Sequence, residues 1–173
     1  MASTKFFHQL KVPIATTLGL RAPKRNQDKA EIPITFRIAL DGNNVRSAPP
    51  FVRSAYDEIQ NGANSVSLKK ELENVNVELY NLPENKRASF RLARIHLQRM
   101  AVKEVRNSEG DATTVLSFET VYPWDREIWS YLGDHYATTV FTRFDSAQAS
   151  LLDEEELQEG EDEPAEEPTA EVQ

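Results

Sequence analysis

From Ile32 to Leu40 apolar residues hold every second position (Ile32, Ile34, Phe36, Ile38 and Leu40), with Thr35 and Arg37 between them. A period of two marks a half-buried β-strand, and Asp41-Gly42-Asn43-Asn44 behind it supplies turn chemistry. Val75, Val77 and Leu79 repeat the pattern against Asn76, Glu78 and Tyr80, up to Asn81-Leu82-Pro83. Thr113 to Tyr122 and Thr138 to Phe144 are rich in β-branched and aromatic residues and are read as strands as well. A first strand is expected near Phe6 to Ile14, with Pro13 at its end, followed by a basic loop from Arg21 to Lys29. The total is five or six strands.

Two segments follow the helical period instead. Pro49-Pro50 opens the first, Val52, Ala55, Tyr56 and Ile59 form its apolar stripe, and Asn61-Gly62 stops it. The second has Asp125 as N-cap, then Ile128, Trp129 and Leu132 on one side, with Gly133 near its end. Short gaps after Leu40, Leu79 and Arg106 favour antiparallel hairpins. The expected fold is mainly β (α+β): an antiparallel sheet or small OB-like barrel carrying two short helices.

The segment from Lys86 to Arg106 fits neither template at first. It holds seven Lys or Arg residues against Glu104 alone, a net charge of +6, and its apolar residues scatter around a helical wheel. Read as a strand, Phe90 and Leu92 share one parity and Ile95 and Leu97 the other, so a single bulge near Ala93 keeps all four inward. The same bulge gathers Arg87, Arg91, Arg94, His96 and Gln98 on the solvent face as a basic stripe.

Charge divides the chain in two. Eleven of its 28 acidic residues lie between Asp153 and Glu171, and no Lys or Arg follows Arg143. The 152 residues before Asp153 carry a net charge of +3, against −11 for the remainder. Residues 1–150 are therefore expected to form one β-rich binding domain and 151–173 a disordered acidic tail, too polar to offset its ordering entropy. The absence of cysteine excludes disulfides, and no apolar run approaches the length of a membrane helix. The first twenty residues, which include Lys5, His8 and Lys11, read as mature protein and not as a signal peptide. A cytoplasmic protein is expected.

This layout resembles that of bacterial and phage single-stranded DNA-binding proteins, in which an OB-fold body precedes a disordered acidic C-terminus that recruits replication partners. The resemblance covers charge layout and β character. It departs at the last residues, because Glu171-Val172-Gln173 lacks the aromatic tip by which such tails dock on partners.

A basic stripe suits phosphates, since each one neutralised releases condensed counterions, and exposed rings supply the stacking half of a single-strand site. Arg87, Arg91, Arg94 and Arg99 are the expected phosphate contacts, Lys24 and Arg25 extend the path, and Tyr80, Phe118, Tyr122 or Trp124 stack bases. The competing reading makes the rings core and the arginines an edge deterrent.

Catalytic readings find less support. The glycines are isolated, Ser67-Leu68-Lys69-Lys70 lacks companion motifs, and His8, His96 and His135 are far apart. Glu71 with Glu73, and Asp125 with Glu127, are the acid pairs a nuclease would use. The expectation is a non-enzymatic binder of single-stranded nucleic acid, DNA first, acting in replication or recombination, without cofactor or metal. Its acidic tail competes for the basic surface or recruits a protein partner. A homodimer is the base-rate state for small β-sheet binders. The alternative is an interaction or inhibitor protein that uses the aromatic segment Val121 to Leu132.

Overall fold

The computed structural model describes residues 6–7, 12–26 and 29–145, so the expectations for the acidic tail and for His8 lie outside the described residues. Among the described residues eight strands form one antiparallel sheet: β1 (Ile14–Leu20), β2 (Lys24–Asn26), β3 (Lys29–Ala39), β4 (Ser65–Ser67), β5 (Leu72–Tyr80), β6 (Phe90–Arg106), β7 (Ala112–Pro123) and β8 (Thr139–Asp145). Helix α1 (Pro50–Gln60) lies between β3 and β4, and α2 (Arg126–Asp134) between β7 and β8.

The sheet closes on itself. Its path runs β1-β8-β5-β6-β7-β3, and β3 pairs back onto β1 through Thr16–Ile38 to Leu20–Ile34. This ring of six strands is one more than an OB barrel has, and it is not evenly barrel-like. β2 extends it beside β3, and β4 beside β6.

The alternating positions of β3 point into the ring: Ile32, Ile34, Phe36 and Ile38 are all buried. Phe36 stacks on Phe118 of β7 at 5.4 Å between centroids, and Phe144 of β8 meets both rings edge-on at 5.8 and 5.3 Å. Phe6 packs edge-on against Phe118 and Phe144, and its N–H donates to the Phe144 carbonyl at 2.8 Å. Phe6 and Phe7 are thus core residues outside any strand, and β1 starts at Ile14, where the strand expected at Phe6 to Ile14 was to end; residues 8–11 of that expectation lie outside the described residues. Phe118 is fully buried, which corrects its assignment as a stacking surface. Val115 through Phe118 are four consecutive buried residues, so parity along β7 does not tell inside from outside.

Both helices match their sequence signals. Val52, Ala55 and Ile59 are the buried stripe of α1, and Gly62 behind it has φ +106°, a conformation glycine adopts without strain. The Asp125 carboxylate accepts from the Glu127 and Ile128 N–H groups at 2.9 and 3.1 Å, capping α2 as expected. The gap after Leu40 is not a hairpin: it leads through a 3₁₀ turn, Val45–Ser47, into α1. The expected basic loop contains β2. Pro33 lies within β3 at the gap between β1 and β2, where its carbonyl accepts from Arg21 N–H and the ladder is already interrupted.

Phe118→Ala should cost about 3 to 5 kcal/mol, because it opens a cavity where three other rings meet. Denaturant unfolding reads this as a lowered midpoint.

Candidate nucleic-acid interface

The basic stripe exists, and its register explains it. Val75 pairs with Ile95 but Val77 with Leu92, so β6 carries one extra residue at Ala93-Arg94, the bulge expected near Ala93. Leu92, Ile95 and Leu97 are consequently all buried, while Arg91, Arg94 and His96 are exposed and Gln98 half-buried. A second bulge was not foreseen. Gln98 pairs with Glu119 but Ala101 with Ser117, which turns Arg99 outward and Met100 and Val102 inward. Arg94 and Arg99 sit at these bulges with φ of +54° and +52°. The Arg94 N–H, displaced from the ladder, donates to the Asn76 side-chain oxygen at 3.1 Å.

Acids on neighbouring strands thin the stripe. Glu119 lies 3.3 Å from Arg99 and 3.5 Å from Arg21, and His96 Nε2 is 3.0 Å from Glu71 Oε2. The guanidinium groups of Arg99 and Arg21 are more than half exposed, and exposed pairs of this kind contribute about 0 to 1 kcal/mol. A phosphate can therefore replace the carboxylate at little cost.

A cluster of positive charge surrounds a cleft at the β5–β6 hairpin. Glu78 stands opposite Arg91 of β6 on one side and Arg143 of β8 on the other. Lys86 and Arg87 from the hairpin loop line the same cleft of about 520 Å³, so four cations and one carboxylate form its lining, and the charge of Asp145 also acts on Arg91. Glu78 bonds to Arg91 and accepts from the Tyr80 hydroxyl at 2.7 Å. Partial burial acts to raise the pKa of Glu78, but bonds from Arg91 and Tyr80 and the charges of Arg91 and Arg143 outweigh it and hold the carboxyl below its ordinary range. Burial, and its bond to Glu78, push the Tyr80 phenol up. A groove along α2 is as large, about 570 Å³, but Arg126 there faces Glu127 and Asp134. Charge, not size, distinguishes the cleft at Glu78.

The aromatic expectations fare unevenly. Tyr80 does not project to solvent: its ring is 3% exposed and lies 5.6 Å from the Arg143 guanidinium, so it forms the cleft's floor and is no stacking platform. Tyr122 is half-buried against the core. Trp124 is 47% exposed, and its backbone N–H donates to the carbonyl of Ala30, the partner of Arg25 in the β2–β3 hairpin. Lys24 and Arg25 are exposed; Arg25 and Trp124 stand on opposite sides of Ala30 in β3, while Lys24 pairs with Glu31. Arg143 was absent from the expected site; only the long-range pairing of β8 with β5 brings it there.

Of the acid pairs, Asp125 caps α2, and Glu71 approaches His96. No protein-family model, curated protein or solved structure matches the chain.

Two outcomes are expected. Glu78, with its lowered pKa, contributes stability that is complete above the ordinary carboxylate range, about pH 4 to 5, and is lost as pH falls through its folded value. Thermal melts below about pH 5 should therefore show a smaller acid-induced loss in Glu78→Gln than in the parent chain. Arg94→Gly and Arg99→Gly, unlike glycine at a regular strand position, should leave stability unchanged or raise it by up to about 1 kcal/mol, since they relieve left-handed backbone strain. A lowered denaturant midpoint in both would show that the fold needs these side chains.

Proposed function

We propose that the folded body binds single-stranded nucleic acid, with DNA the first candidate, along the outer face of β6 between the cleft at Glu78 and the β2–β3 hairpin. The observation that carries this reading is the cleft, where Lys86, Arg87, Arg91 and Arg143 outnumber the acids beside them, Glu78 in the lining and Asp145, whose charge acts on Arg91. Arg94 and Arg99 continue the phosphate path from there. Lys24 and Arg25 extend it on β2, across β3 from Trp124, an exposed ring on which a base stacks. Both hairpins stand at the same end of the ring, where β6 begins and β7 ends, because β5, β6, β7 and β3 are successively antiparallel.

In this reading the protein is a cytoplasmic binder in replication or recombination and not an enzyme. The eleven acids beyond Leu152 act in it as a tethered competitor. Attached to the strand that supplies Arg143, they sit at an effective concentration that excludes weak polyanions and yields to a preferred strand. Among the described residues no helix is long and apolar enough to cross a membrane. A protein partner is the second reading, favoured by the exposure of Val121 (42%) and Trp124.

Fluorescence anisotropy with a labelled single-stranded oligonucleotide tests the proposal. Truncation after Leu152 should tighten binding and steepen its salt dependence. Arg87→Gln with Arg94→Gln should weaken it and reduce the slope by about 0.7 for each phosphate that is no longer neutralised. No binding by either chain at low salt would leave the protein-partner reading.

A further inference from the structure

We infer that the cleft at Glu78 seats a terminal phosphate, the phosphomonoester end of a strand, and thereby distinguishes a phosphorylated end from a hydroxyl end. This rests on the single-strand reading above and assigns its ligand at one place.

The two parts of the basic surface differ in how they group charge. On the face of β6 and β7, Arg99 and Arg21 share Glu119, which leaves a net of one positive charge, suited to the single charge of an internal phosphodiester. In the cleft four cations converge on one volume against Glu78, with Asp145 acting on Arg91 from beside it, which leaves a net charge of +2. A terminal phosphate carries about 1.5 to 2 negative charges at neutral pH and offers three acceptor oxygens. Only that end group uses the whole cluster.

The cluster is built before any ligand arrives. Arg91 and Arg143 flank Glu78 in strict register on adjacent strands. The Glu78 carboxylate is engaged by Arg91 and the Tyr80 hydroxyl, and its side chain is 15% exposed, so the cationic groups dominate the open side. The loop that carries Lys86 and Arg87 is held at both ends. Ser89 N–H donates to the Leu79 carbonyl at 2.7 Å, and the Tyr131 hydroxyl of α2 donates to the Asn81 side chain at 2.9 Å. The Tyr131 ring also lies 4.9 Å from that of Phe90. A loop already anchored and an Arg91 already engaged by Glu78 lose less freedom when a ligand binds, which favours a discrete seat over diffuse attraction.

The test compares, on the full chain at low salt, one oligonucleotide sequence with a 5′-phosphate, with a 3′-phosphate, or with hydroxyls at both ends. A nucleoside monophosphate is titrated separately by calorimetry. One phosphorylated strand should bind about tenfold tighter than the hydroxyl strand, the scale of one or two added charge-assisted hydrogen bonds. Arg143→Gln should bring that ratio down to about twofold, whereas Arg99→Gln should weaken all three strands together and preserve it. The ratio should also shrink below about pH 6, where the terminal phosphate takes up its second proton. Equal affinity for the three strands overturns the inference. If no strand binds but the monophosphate binds the parent chain and not Arg143→Gln, the seat stands as one for a free phosphomonoester and the single-strand reading fails. If neither binds, both fail.

Discussion

The closure of the ring by β1, held between β8 and β3, is the constraint on which the other features depend. An open six-stranded sheet would leave two ladders of unpaired backbone groups and a core exposed along one side. Closed, it has an inside small enough for a few large side chains to fill, and Phe6, Phe36, Phe118 and Phe144 fill it. The stretches of the outer face left open to water can then hold charge at a density a core-facing surface could not tolerate.

Bulges make the two faces compatible along β6. A seventeen-residue strand that curves around a narrow ring cannot keep strict alternation, and its sequence already breaks parity at Ala93. Each extra residue restores the inward set and leaves an arginine with left-handed backbone outside. Curvature, core and charged stripe therefore have one local origin. Asn76 completes the first bulge by accepting the N–H that the ladder no longer uses.

How much of this was legible in the sequence depended on whether a signal was local. The alternation of β3, the start and stop signals of both helices and the parity break at Ala93 are properties of a few neighbouring residues, and each matches the structure. The basic stripe followed from them. What stayed hidden was set by pairing across the chain. Arg143 enters the cleft because β8 lies beside β5, although more than sixty residues separate Glu78 from Arg143 in sequence. Tyr80 has the outward parity but is roofed by Arg143 and the hairpin loop. Phe118 sits in a run buried on both faces, where period-two reasoning has nothing to count. Phe6 lies in a segment too short to show any period, and its place against Phe144 is a tertiary fact.

The pairing of β1 with β8 also sets the order in which the molecule can come into being. Residues 14–17 find their partners at 139–142, so the ring closes only after nearly all of the body has been synthesised. Contacts of such separation demand loop-closure entropy before they return any stabilisation, which places this chain among slow, non-local folders. Until β8 arrives, β1 and β5 each present a bare edge to solvent or to another nascent chain. The strand that seals those edges is also the one from which the polyanion extends, so the repulsive charge emerges from the ribosome just as the vulnerable interval ends.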